Sequence, residues 1–182
     1  KLPHYEVKKG SPLSKAEEKQ LIEFCKNNPH LYGIHSLLVL LYTGMRLGEL
    51  ASMKIESENN YTFITCETEK TRKGYATIRR RIPVSPMFRK VWDMIDFEKA
   101  KTASSKTLSD TIKRVFPERH VHELRYTFIS RCKECGCNLE LVMLWDGHEF
   151  DKDVRTSKVD RGYTQYSNEI YFGDIEKVNY EL

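Results

Sequence analysis

The residues Tyr42-Thr43-Gly44-Met45-Arg46-Leu47-Gly48-Glu49-Leu50 close one helix and open another. Just before them lies the longest apolar run of the chain, residues 34–42, interrupted by His35 and Ser36. It is far shorter than the ~20 residues needed to cross a bilayer, so it predicts a buried core helix over 31–42. Gly44 breaks that helix, because glycine alone takes left-handed backbone without a steric penalty. Leu47 to Met53 predicts a short further helix. An arginine at position 46, after the break and at the start of the new helix, is placed to project into a site.

Upstream, Ser14 and Glu17 have the S-x-x-E spacing of a capping box ahead of Leu21, Ile22, Phe24 and Cys25, which predicts a helix stopped by Asn27-Asn28-Pro29. Downstream, residues 61–68 and 77–84 alternate and are rich in β-branched and aromatic types, predicting two strands joined as a hairpin through Arg72-Lys73-Gly74. Pro86 stands at the first position of a helix carrying Met87, Phe88, Val91, Trp92 and Ile95, and 99–105 reads as a polar linker. Helices are expected over 109–116, 122–134 and 139–145. Residues 151–160 read as a charged loop, and the tail from 161 as a helix that fades near Gly173. The predicted fold class is mainly α with a small antiparallel β-sheet (α+β).

The 182 residues suffice for one domain with a hydrophobic core, and 40% hydrophobic with 31% charged residues is a globular balance. The net charge of +4 says little, but its distribution says more. Between Lys70 and Arg81 lie Lys70, Arg72, Lys73, Arg79, Arg80 and Arg81, with no acidic residue among them. Such a block suits either a phosphate-contacting strip or a solvated basic hairpin. Five cysteines with no secretory signal fit reduced thiols in a cytoplasm. The cluster Cys132, Cys135, Cys137 lacks a second ligand pair at metal-binding spacing, so free thiols are expected and no metal.

Three further segments bear reactive types in order: His122-Glu123-Leu124-Arg125, with the histidine and arginine on one helix face; Trp145-Asp146-Gly147-His148; and Tyr163-Thr164-Gln165-Tyr166. The ordered set T-G-x-R-x-G-E-L, a hairpin lysine, H-x-L-R-x-T-F, G-H and Y-T resembles the catalytic domain of the tyrosine recombinase (phage integrase) family across nearly the whole chain. The resemblance implies a site-specific DNA recombinase, nucleoid-associated in a bacterium or phage-encoded, that cleaves and rejoins strands through a 3′-phosphotyrosyl intermediate. It implies no cofactor, double-stranded DNA as partner, a homotetramer on synapsed sites and a monomer for the isolated domain. Residues 1–12 read as the end of an interdomain linker and 13–182 as the catalytic domain, its tail starting near 164, with the family's N-terminal DNA-binding domain outside this chain.

By that resemblance Arg46 and Arg125 are the two catalytic arginines and His122 and His148 the two histidines, while Glu49 orients Arg46. The hairpin lysine is Lys70, with Lys73 as the alternative; the nucleophile is Tyr163, with Tyr166 as the alternative. Arg72, Lys73, Arg79, Arg80 and Arg81 are expected to touch DNA. Ile170, Tyr171, Phe172, Ile175 and Val178 make the tail apolar, which in the family docks on a neighbouring subunit, so its removal is expected to leave the fold intact. A relaxing topoisomerase of the covalent-tyrosine type and a non-enzymatic DNA-binding module are the competing readings.

Overall fold

Helix α2 (Gly33–Thr43) is buried along its whole length, and the other elements assemble around it. The computed structural model describes residues 10–67, 79–147 and 166–182. Helix α1 (Lys15–Asn27) begins at the predicted capping box, with the Ser14 hydroxyl accepting the Glu17 N–H at 3.2 Å and the Glu17 carboxylate accepting the Ser14 N–H at 2.8 Å. A 3₁₀ helix (Leu47–Ser52) follows α2 after the Gly44 turn. Helices α3 (Pro86–Arg89), α4 (Phe97–Thr102), α5 (Ser105–Val115), α6 (His122–Glu134), α7 (Leu139–Asp146) and α8 (Asn168–Ile175) complete the helical part. No described helix is long and apolar enough to cross a membrane.

The sheet is antiparallel and three-stranded, in the order β1 (Lys54–Glu58), β2 (Tyr61–Glu67), β3 (Arg79–Pro83). The expected pairing of β2 with β3 is present, Cys66 facing Arg80 and Ile64 facing Ile82. Strand β1 was not expected, because its one apolar side chain, Ile55, is exposed and its pattern is polar. Its signal was the turn: Asn59 and Asn60 both have positive φ, 50° and 68°, the geometry of a two-residue hairpin loop in which asparagine is favoured.

Two other expectations are corrected. The helix expected from Pro86 through Ile95 is α3 followed by a 3₁₀ turn (Trp92–Met94), and the expected linker at 99–105 contains α4, which Asp96 caps by accepting the Lys99 N–H at 3.0 Å. Helix α5 begins earlier than expected, capped by Ser104.

Two buried polar knots join the helices. The carboxylate of Glu18, fully buried on α1, accepts from Tyr42 Oη on α2 at 3.0 Å, from Arg131 Nε on α6 at 3.0 Å, and from Tyr180 Oη in the C-terminal segment. Burial and the adjoining carboxylate push both phenols well above their ordinary range, so they serve as neutral donors. Along the same face of α6, toward its start, Glu123 accepts the N–H of Ser11 at 3.1 Å and Thr127 Oγ1 accepts that of Leu13 at 2.8 Å. Ser11, within the stretch expected to end a linker, is thus anchored to the helix that carries His122 and Arg125.

The C-terminal segment packs on its own domain. Phe172 lies 4.5 Å from Tyr61 and 5.1 Å from Phe63 between ring centroids, and Ile175 and Val178 are buried with it in the common core. Asp174 accepts the N–H of Asn138, the N-cap residue of α7, at 2.7 Å, and Glu176 takes a two-pronged grip from Arg89 at 2.7 and 2.8 Å. The segment expected from sequence to dock on a neighbouring subunit, and to be removable without loss of the fold, packs instead into the core of its own domain. Gly173 does not end the helix, because α8 continues through it to Ile175. The thiols are free, with Cys132 and Cys137 buried beneath this segment.

Candidate active site

Arg46 stands at the N-cap of the 3₁₀ helix because Gly44, in the left-handed conformation at φ 62°, ends α2 and turns the chain. Its backbone N–H and Nη1 both donate to Glu49, at 2.7 and 3.1 Å, while Nη2 donates to the carbonyl of Gly147 at 3.2 Å. One residue thereby bridges the end of α2 and the end of α7. Its side chain keeps 20% exposure above a carboxylate with none.

Arg125 enters from the first turns of α6. Its Nη1 donates to the carbonyl of Gly44 and its Nη2 lies 3.7 Å from Asp146 on α7. Burial lowers its pKa to about 10; Asp146 opposes that shift and the charges of Arg46 and Arg80 add to it. The guanidinium stays charged near neutral pH. Arg46 and Arg80 share Glu49, while Arg125 reaches Gly44 and Asp146, each close in the chain to Arg46 or to its partner Gly147, so three arginines lie in one neighbourhood. His122 stands at the start of α6, edge-on to Tyr126 with ring centroids 4.9 Å apart. It shares with Arg46 the lining of an open cleft of about 610 Å³, to which Lys101 of α4 and Ser105 of α5 also contribute.

Arg80 is set differently from the solvent-facing strip expected of it. Strand β3 alternates, so Arg79 and Arg81 point one way and Arg80 the other, sharing a face with the core residue Ile82. The Arg80 side chain is 3% exposed, paired with Glu49, and donates to the carbonyl of Trp145. Arg79 pairs with Glu56, and Arg81 pairs with Glu58 at 3.1 Å while its guanidinium lies 3.9 Å over the Phe63 ring. The block that is free of acids along the chain is not so in space, because β1 brings its two glutamates to it.

Among the described residues, Arg46, Arg80 and Arg125 therefore carry three positive charges against two from Glu49 and Asp146, with all but Arg46 buried. Such a cluster is a receptor for one anion, since a fork-shaped guanidinium suits a phosphate and burial magnifies the interaction. Glu49 was legible from sequence as a partner of Arg46; its second partner, the inward Arg80, and the pairing of Asp146 with Arg125 were not. The signal for Arg80 was strand alternation. Lys70, Arg72, Lys73, His148 and Tyr163 lie outside the described residues.

Two glycines hold this geometry. A Cβ on Gly44 would lie 2.4 Å from Phe128 Cδ1 on α6, and one on Gly147, at φ 69°, 2.6 Å from Arg80 Cδ. Gly44→Ala combines left-handed strain of about 1–2 kcal/mol with that clash. It should lower stability by more than that amount in urea denaturation. Unchanged stability would mean that α6 recedes from the turn without cost.

No protein-family profile matches the chain, and no curated protein matches it by sequence. Three-dimensional comparison does find structures of similar fold. The Tn1549 transposon integrase, solved with circular-intermediate DNA, superposes with a TM-score of 0.57 at 16% identity, covering 92% of this chain and 62% of that one. Lambda integrase, solved as a dimer bound to a core site, gives 0.57 at 18% identity over 78% of this chain and 59% of that one. The XerH site-specific recombinase bound to its difH substrate gives 0.55 at 17% identity over 88% and 49%. The chain thus spans between about half and just under two thirds of the length of these structures, and its fold is that of tyrosine recombinase catalytic domains.

Proposed function

We propose that this chain is the catalytic domain of a site-specific DNA recombinase of a phage or mobile element, which cleaves and rejoins strands through a 3′-phosphotyrosyl intermediate. The observation that carries the reading is the cluster of three arginines and two carboxylates among the described residues, with Arg46 and His122 lining an open cleft, on a fold shared with recombinases solved on DNA. The chemistry is in-line transfer. The hydroxyl oxygen of Tyr163 attacks the scissile phosphorus and gives up its proton, with His122 or His148 as acceptor. Arg46 and Arg125 hold the nonbridging oxygens as charge builds on them. The bond to the 5′ oxygen breaks, and Lys70, or Lys73, supplies the proton that leaves a free 5′ hydroxyl. Rejoining runs the same steps backwards. The working form is a homotetramer on two synapsed duplexes.

The roles of the other C-terminal tyrosines support Tyr163. Tyr166 Oη donates to Glu140 at 2.6 Å, and that carboxylate pushes the phenol up to about 12, the wrong direction for a nucleophile. Tyr171 packs beside Trp145 and Phe63, and Tyr180 is bound to Glu18. The reading is tested with a nicked duplex that loses a short fragment on cleavage and so traps the protein–DNA bond. Covalent capture followed by strand exchange between two marked duplexes is expected. Relaxation without exchange would point to a topoisomerase, and binding without capture to a module that holds DNA but does not cut it.

For the hairpin, Arg79→Ala is expected to weaken binding of all sequences alike and to reduce the dependence of log affinity on log salt by about one. Glu56→Gln, which releases Arg79 from its ion pair, should strengthen binding. Salt titrations of both variants check this, and an unaltered slope in Arg79→Ala would remove Arg79 from the interface.

A further inference from the structure

Resting on that reading, we propose that Arg80 is a positioning residue of the active site, acting on Arg46 through Glu49 and on the end of α7 through Trp145 and Gly147. The Glu49 carboxylate is fully buried and uses both oxygens: Oε1 takes Arg46 Nη1, and Oε2 takes both the Arg46 N–H and Arg80 Nη2. A buried carboxylate facing one guanidinium would hold it as a tight pair and draw it away from an incoming phosphate. With a second guanidinium behind it, Glu49 is already neutralised, and Arg46 keeps a net charge to spend on the substrate. The same Arg80 side chain donates to the Trp145 carbonyl, and its stem passes against Gly147, where only a glycine leaves it room. Gly147 is in turn the residue whose carbonyl takes Arg46 Nη2, and it precedes His148. Arg80 thus touches both walls against which Arg46 is held, while being too buried to meet DNA itself.

The test uses Arg80→Met, which keeps the stem and removes the charge, with Arg80→Lys, Glu49→Gln and the double variant. Single-turnover cleavage of the nicked duplex and DNA affinity are measured separately, and the Arg46 Nε–H resonance is followed by NMR. Arg80→Met is expected to bind DNA within about threefold of wild type. It should cleave roughly ten- to a hundredfold more slowly, the cost of a small misplacement of a reacting-site group. The Arg46 resonance should shift and broaden. Arg80→Lys, which keeps the charge facing Glu49 but cannot also reach the Trp145 carbonyl, should cleave at a rate between those of Arg80→Met and wild type, with a shifted Arg46 resonance. Glu49→Gln combined with Arg80→Met should lose no more than the worse single variant, because the two act in series. Losses that multiply, or an Arg46 signal unaltered in Arg80→Met and in Arg80→Lys, would overturn the proposal. If Arg80→Met does not fold, Arg80→Lys decides: a wild-type rate with an unshifted Arg46 resonance would overturn the proposal. If the wild-type protein captures no DNA, the recombinase reading fails, and the Arg46 resonance still reports whether Arg80 positions it.

Discussion

Tyr163→Phe is expected to abolish covalent capture of DNA while leaving folding and DNA binding intact. The substitution removes one hydroxyl, and along the chain position 163 lies between Gly147, whose carbonyl holds Arg46, and the segment that begins at Tyr166. A phenol with its ordinary pKa near 10 is a poor nucleophile at neutral pH. It becomes competent only where positive charge offsets the phosphate and a base takes its proton. The cluster meets the first need: Arg46 is partly open to the cleft, Arg125 is buried but still charged, and Arg80 balances Glu49. Arg46→Ala and Arg125→Ala should therefore each slow cleavage by roughly a hundredfold or more, as loss of a transition-state donor does, with Tyr163 still present. Arg125→Lys should not restore the rate, since an ammonium cannot reproduce a fork that reaches both the Gly44 carbonyl and Asp146. The measurement is trapping on the nicked duplex, then peptide mapping of the DNA-linked residue. A crosslink at Tyr166, or capture that persists in Tyr163→Phe, would refute the assignment.

Truncation after Asn168 should unfold the domain. The lost residues include Phe172, Ile175 and Val178, all within the common core, and each buried apolar side chain contributes about 1.5–3 kcal/mol. The ring contacts of Phe172 with Tyr61 and Phe63, the Asp174 cap of α7 and the Arg89–Glu176 pair go with them. The total approaches the 5–15 kcal/mol that typically separates folded from unfolded states. Glu18 would also lose Tyr180 as a donor while staying buried on α1. The truncated chain is expected to show no cooperative melting transition and to bind a hydrophobic dye. A cooperative transition within a few degrees of the full chain would mean that the segment is dispensable to the fold.

What this sequence determined by itself is local. The capping box at Ser14 and Glu17 starts α1, Gly44 ends α2 and sets Arg46 at a helix start, and the i, i+3 spacing puts His122 and Arg125 on one face of α6. Each depends on a few neighbouring residues and on backbone geometry alone, so it can be read without knowing what lies nearby. The order of the reactive residues was equally legible, and it pointed to the recombinase catalytic-domain fold found by superposition. Only the tertiary structure decided where the charges and apolar faces meet. Three arginines in a row on β3 look alike in sequence, yet strand alternation sends Arg80 to Glu49 and leaves Arg79 and Arg81 to the glutamates of β1. An apolar tail reads the same whether it covers its own sheet or a neighbour's; here the ring pocket of Tyr61 and Phe63 takes Phe172. Asp146 shows its role only when α7 crosses the end of α6 and reaches Arg125. Burial, ion pairing and charge balance are sums over atoms distant along the chain, so their signs are set by packing.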